Sequence, residues 1–190
     1  MRTLPVLVIT SILATTLLNE GFAQKKSAAL AKLIERGKYL VNLGGCNDCH
    51  TPKKFGPKGM ELDESRLLSG SPAQESLPAI PDNVIGMGPD KWMALTDAHL
   101  AAWAGPWGVS FAANLTPDVE TGLGSWSEAM FIKAMRTGKH MGEGRPILPP
   151  MPWENFAKLD DKDLKAIFAY LGSLPAVKNA VREPIPPKGQ

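Results

Sequence analysis

Cys46, Asn47, Asp48, Cys49 and His50 stand together, and their types and spacing carry the most chemistry in the chain. Two thiols held two residues apart and followed at once by an imidazole form the pattern that attaches a c-type haem. The thiols add to porphyrin vinyl groups on neighbouring pyrroles. One tight turn reaches both and delivers the His50 nitrogen to an axial face of the iron. Two other uses of the pair compete. A thioredoxin-like redox pair would follow a strand and open a helix, whereas this pair follows a helical pattern and Gly44-Gly45. A zinc site would need two of the chain's three histidines within range.

An iron that only passes electrons takes a second axial ligand, and Met is a common one. Met151, in Pro149-Pro150-Met151-Pro152-Trp153, is the first candidate. Its flanking prolines stiffen the backbone that must present a weak thioether ligand. The stretch also sits one short loop before a helical pattern able to fix it. Of the eight methionines, Met1 starts the chain, and Met130 and Met135 fall on an apolar helical face. His99, His140 and Met141 are the rival ligands.

The elements that must position these groups follow from periodicity. Leu30, Leu33, Ile34, Leu40 and Val41 recur at three-four spacing over residues 27–43 and predict a helix, with Gly37 on the same stripe. A glycine inside a helix costs ~1 kcal/mol against alanine, and a close helix crossing explains it. Gly44-Gly45 ends the element. From Thr51 to about Gly108, prolines and glycines leave no room for a long helix. Trp92, Trp103 and Trp107 in that segment argue for an ordered insertion lying over the haem. Residues 107–112 alternate in the strand manner, which predicts a small β-hairpin, with a short helix over 96–103 as the alternative. Ser125-Trp126-Ser127-Glu128 fits a capping box opening the next helix, which Gly138 stops. A last helix over 161–171 is capped by Asp160 and stopped by Gly172. Residues after 174 are proline-rich and should be extended.

A chain of 190 residues with 44% hydrophobic content suits one domain. A formal net charge of +2 without a basic block excludes nucleic acid as a partner class. Arg2, the apolar run from Leu4 to Leu18 and Gly21-Phe22-Ala23 predict a signal peptide over residues 1–23. The apolar run is shorter than the ~20 residues a membrane span needs. The mature protein is therefore expected in the periplasm or otherwise exported, and not integral to the membrane.

The order of parts resembles a class I cytochrome c: helix, CxxCH, long loop, helix, methionine loop, terminal helix. Asn114-Leu115-Thr116-Pro117-Asp118, Thr121-Gly122-Leu123-Gly124-Ser125-Trp126, Gly144-Arg145-Pro146, Pro150-Met151-Pro152-Trp153 and Ala169-Tyr170-Leu171 narrow it. They look like the cytochrome c domains in the cytochrome subunits of membrane-bound alcohol and gluconate dehydrogenases. The resemblance implies an all-α cytochrome c fold around one covalently bound haem, with a long, mostly irregular insertion (51–113) that has room for the small hairpin. The cytochrome domain would span 24–175 and a proline-rich tail 176–190. Haem c would be held by Cys46 and Cys49, with His50 proximal and Met151 distal. Gly37 would cross the last helix near Ile167 and Tyr170. Asn114, Trp126 and Pro150 are candidate haem-pocket residues. This chain has one CxxCH where those subunits carry three, so a single haem is expected.

The expected role is a one-electron carrier rather than an enzyme, alone or as a subunit of an oxidoreductase complex. Its redox partners would be a dehydrogenase or other donor and a terminal oxidase or other acceptor. Lys53, Lys54 and Lys58 follow the haem motif and form a candidate docking rim for an acidic partner. The competing function class is a haem enzyme or ligand sensor with an open sixth coordination position.

Overall fold

A computed structural model describes residues 7–57 and 59–187, without the side chains of residues 7–23. The first helix, α1 (Leu7–Leu43), begins far ahead of the predicted start. The signal peptide expected over 1–23 lies outside the described residues at 1–6 and, for side chains, throughout. Gly44 and Gly45 stop α1, and Gly45 takes a left-handed conformation (φ 64°) that turns the chain into α2 (Cys46–His50), the haem-motif helix. The chain then enters β1 (Lys53–Gly56) and β2 (Gly59–Leu62), an antiparallel hairpin. After a 3-10 turn at Glu64–Arg66 come β3 (Leu95–Thr96), β4 (Ala102–Gly105) and β5 (Gly108–Phe111). These three form an antiparallel sheet in that order. The helices α3 (Glu128–Thr137), α4 (Trp153–Phe156) and α5 (Asp161–Gly172) complete the fold.

The all-α expectation is thus corrected: two small sheets accompany the helices. The physical reason lies in the proline and glycine content of the insertion. Those residues exclude helix, yet the backbone N–H and C=O groups of an ordered segment still need partners, and hairpins supply them locally. The predicted hairpin forms as β4–β5, pairing Ala102 with Phe111 and Gly105 with Gly108. The alternative helix over 96–103 does not form, because residues 102–103 are in β4 and Thr96 pairs with Trp103. The β1–β2 hairpin, which starts after Pro52 and has Pro57 in its turn, carries no alternation that would betray it.

The frame is the crossing of α1 on α5. Val41, Leu164 and Leu171 are fully or almost fully buried there, with Leu40, Phe131, Ile167 and Tyr170 around them. Each such side chain contributes ~1.5–3 kcal/mol by leaving water. A Cβ on Gly37 would sit 1.9 Å from the Ala166 carbonyl oxygen and 2.7 Å from Tyr170 Cβ. Only hydrogen fits between the helices. The crossing therefore falls at Ala166 and Tyr170. At the edge of the same seam, Asp163 accepts two hydrogen bonds from Arg36, both 3.0 Å. The insertion adds one residue to this core, Leu68, which is fully buried with φ 57°.

The cap of α3 moves by two residues from its predicted place. Ser127 is the N-cap, its hydroxyl accepting from Met130 N at 3.2 Å. Gly138 ends the helix in the left-handed region, as expected. The tail beyond α5 is extended and strapped across the insertion: Ile185 and Val109 exchange both backbone hydrogen bonds, at 2.8 and 2.9 Å.

Candidate haem site

α2 places Cys46 and Cys49 on a single turn, and neither is in a disulfide. Both are half-buried. Burial pushes the Cys46 thiol up to about 11. Burial, with the Asp48 charge beside it, also raises Cys49. Such thiols are weak nucleophiles, which disfavours a thioredoxin-like use of the pair. Among the described residues no group of His, Cys, Asp and Glu is arranged to hold a metal ion.

His50 is committed at one nitrogen. Its Nδ1 lies 2.7 Å from the Ala113 carbonyl oxygen. A carbonyl only accepts, so Nδ1 carries the hydrogen and the lone pair is left on Nε2. This is the tautomer a metal-bound histidine needs, with its ring oriented by the second bond. Burial pushes the pKa of the imidazole down, which favours its neutral form. The Ala113 carbonyl is itself fixed by a tight backbone approach. Gly70 N donates to the His50 carbonyl at 2.8 Å, and Ser71 N donates to Ala112 O at 2.8 Å. A Cβ on Gly70 would meet the Ala112 and Ala113 backbone at 2.6 Å. Two free thiols on one turn beside an imidazole with a free Nε2 fit a covalently attached haem.

Met151 is half-buried, directly before α4. The loop that carries it is anchored from the insertion: the Ser110 hydroxyl of β5 donates to the Pro149 carbonyl at 2.5 Å and accepts from the Trp107 indole N–H at 3.3 Å. Pro150 is exposed beside that anchor. On β4, the Trp103 indole donates to Leu100 O at 2.8 Å and lies close enough to Cys49 to favour its thiolate. One sheet therefore supports both halves of the site. β4 covers Cys49, the residues after β5 hold His50, and β5 holds the methionine loop.

The rival ligands stand differently. Both nitrogens of His99 are engaged: Nδ1 accepts from Lys53 N at 2.9 Å and Nε2–H donates to Glu75 at 2.6 Å. His99 has no lone pair left for a metal. His140 and Met141 are exposed and line a shallow concavity against α3 with Met130 and Lys133. None of Cys46, Cys49, His50 or Met151 lines that concavity.

Asn114 is buried, but both amide hydrogens are taken, by Thr121 Oγ1 at 3.1 Å and Val177 O at 2.8 Å. Its oxygen accepts from Thr116 N and Oγ1. These bonds tie the turn after Ala113 to the C-terminal strap. Trp126 is half-buried against the helical core and meets the His140 ring edge-on, centroids 5.1 Å apart.

The basic rim is corrected at Lys53, which is buried at 5% exposure. Lys54 is exposed and pairs with Asp63 at 2.8 Å, and Lys58 lies outside the described residues. Ser110 and the Ala113 carbonyl are the site residues that sequence reasoning missed; the sequence reads Lys53 as surface and places Trp103 over the site without a partner. A backbone carbonyl leaves no mark in a sequence, and a lysine after a motif reads as surface.

This geometry, two free thiols and an oriented imidazole on one CxxCH helix, is what a c-type haem site requires. Comparison with known proteins is specific about the branch, although no protein-family model matches the chain. It is 31% identical over 148 residues to a nicotinate dehydrogenase subunit of Pseudomonas putida, covering 78% of this chain and 9% of that protein. It is 30% identical over 161 residues to the gluconate 2-dehydrogenase cytochrome c subunit of Pantoea cypripedii, covering 84% and 27%. It is 28% identical over 138 residues to the cytochrome c subunit of the quinone alcohol dehydrogenase of Gluconobacter oxydans, covering 73% and 20%. The chain is a member of the cytochrome c family, related to the cytochrome subunits of dehydrogenases. It spans 27% or less of the length of each of these three relatives.

Proposed function

We propose that this protein is a mono-haem c-type cytochrome that carries single electrons from a dehydrogenase or other donor to an oxidase or other acceptor. Haem c would be bound through Cys46 and Cys49 with His50 and Met151 as axial ligands. The observation that carries this reading is the commitment of His50 Nδ1–H to Ala113, which leaves Nε2 as the free ligand atom beside two unpaired thiols. The group would supply a one-electron couple, and a thioether ligand favours the ferrous state relative to a second histidine.

The chain's own residues would hold both ligands in place. Ala113 orients the imidazole, and Ser110 holds the carbonyl two residues before Met151. A site fixed from both sides changes little between oxidation states, which suits transfer without bound substrate. Export of the mature chain after removal of residues 1–23 would put it where such haems are attached, and relatives named as dehydrogenase cytochrome subunits support a dehydrogenase as donor. Among the described residues no helix is long and apolar enough to cross a membrane.

The test is the optical spectrum of wild type beside Met151→Ala and His140→Ala, with haem stoichiometry from the mass of the purified protein. One haem per chain and loss of the weak red ferric–thioether band in Met151→Ala alone are expected. Ready carbon monoxide binding by the reduced wild type at neutral pH would instead mark an open sixth position.

A further inference from the structure

Lys53 is the group in this molecule whose position its proposed role does not yet use. Its side chain folds back into the protein from the start of β1. Nζ donates to three carbonyl oxygens, those of Thr51 at 2.6 Å, Asp48 at 2.8 Å and His99 at 3.0 Å, with Asn47 O further off at 3.5 Å. Three acceptors match the three hydrogens of an ammonium, whereas a neutral amine has only two. Among the described residues no carboxylate forms an ion pair with it. Asp48 and Asp97 are near enough for their charges to act on it, but its direct partners are all neutral dipoles.

The Asp48 carbonyl belongs to the haem motif itself, and Asn47 is its neighbour. The terminal carbonyls of a helix lack intrahelical partners, and a cation at that end suits the dipole. Capping α2 explains why a lysine is tolerated here. It does not explain a charge, since a neutral donor could satisfy the same carbonyls without the cost of burying a cation. The charge also reaches the site, acting on both the Cys49 thiol and the His50 ring.

We propose that the buried ammonium of Lys53 is a fixed positive charge that raises the reduction potential of the haem attached at Cys46 and Cys49. The assignment rests on the haem reading above. Oxidation of the iron adds one positive charge to the site, and a neighbouring cation in a region screened from water opposes that step more than the reduced state. Lys53 is thus a tuning residue, held in place by the motif whose potential it sets. Its bonds also tie the insertion to α2. Two of the ammonium's acceptors lie in residues 47–51, and a third, His99, is brought in by the loop before β4.

The experiment is potentiometry on haem-loaded wild type, Lys53→Met, Lys53→Gln and Lys53→Arg, with the optical spectrum of each recorded in both oxidation states. Met and Gln remove the charge, Gln keeping donors for two carbonyls, and Arg keeps the charge. A tenfold shift of the one-electron equilibrium toward the ferric state is expected in both neutral variants, about 59 mV lower in potential. Lys53→Arg should stay near the wild-type value, with the red thioether band unchanged throughout. If one neutral variant does not fold, the other carries the comparison. Unchanged potential in a haem-loaded neutral variant, or an equal fall in Lys53→Arg, overturns the role of Lys53 and leaves the haem reading intact. Wild type carrying no covalent haem overturns the haem reading, and the role of Lys53 with it.

Discussion

The α1–α5 frame and the 51–113 insertion solve the same problem by different physics. The frame is held by apolar side chains packed where one glycine lets two helices touch. The buried apolar side chains of the insertion are mostly small: Ala101, Ala102 and Ala104 beside Leu68 and Val109. The insertion is held by single polar bonds: Ser110 to Pro149, His99 to Glu75, Asp63 to Lys54 and Arg66. Packing is shared over many contacts, so the frame should fail as a unit. Individual hydrogen bonds are local, so the insertion can loosen at one point and change the site without unfolding the protein.

The largest effect that would break this contrast is in the frame. Gly37→Ala places a methyl group 1.9 Å from the Ala166 carbonyl oxygen. The helices must separate, at a cost of about 3 kcal/mol or more. Urea unfolding should show the loss as a shifted midpoint, with the haem spectrum unchanged until the whole protein unfolds. A spectral change well before the midpoint would show that frame and insertion are not separate.

Next comes the acidic anchor of the insertion. Burial raises the pKa of Asp63, but hydrogen bonds from Lys54, Ser65 and Arg66 outweigh it and hold the carboxylate below its usual range. A carboxylate depressed in the folded state stabilises above its unfolded pKa, ~3.9. That stability is lost as pH falls through the lower folded value. Stability at pH 6 should therefore exceed that at pH 3, and Asp63→Asn should remove about 2 kcal/mol at pH 6 and flatten the profile. Urea titrations at the two pH values check it.

The smallest effect is the most informative about the site. Ser110→Ala removes one hydrogen bond to the methionine loop, about 1 kcal/mol. The global midpoint should barely move. The fraction of ferric protein lacking the thioether band should rise roughly fivefold, read from the optical spectrum against pH. A global loss as large as that of Gly37→Ala would mean that the insertion is part of the frame.

Much of the frame was legible in the sequence because its signals are local. Three-four spacing and glycines mark the helices, and Gly37 announces a close crossing, which the resemblance put near Ile167 and Tyr170 and the fold puts at Ala166 and Tyr170. Cap residues were less reliable. Ser125 and Ser127 both precede a glutamate or helical residue, and backbone geometry chose Ser127. The insertion was legible as ordered, through its tryptophans, but not as two sheets. Strand pairing joins residues by register, and only β4–β5 carried a turn and an alternation that could be read.

By itself the sequence determined the chemistry on offer: two thiols and an imidazole at a spacing that suits covalent haem, a methionine between prolines, and helices able to hold them. It did so because a short motif fixes reach and order without help from distant residues. Only the tertiary structure decided which nitrogen of His50 is free, that His99 is engaged at both of its own, and that Lys53 lies buried against α2 rather than facing a partner. Each of these depends on at least one backbone or carboxylate partner brought in from 24 to 63 residues away. No local pattern encodes a hydrogen bond to a backbone atom on another element.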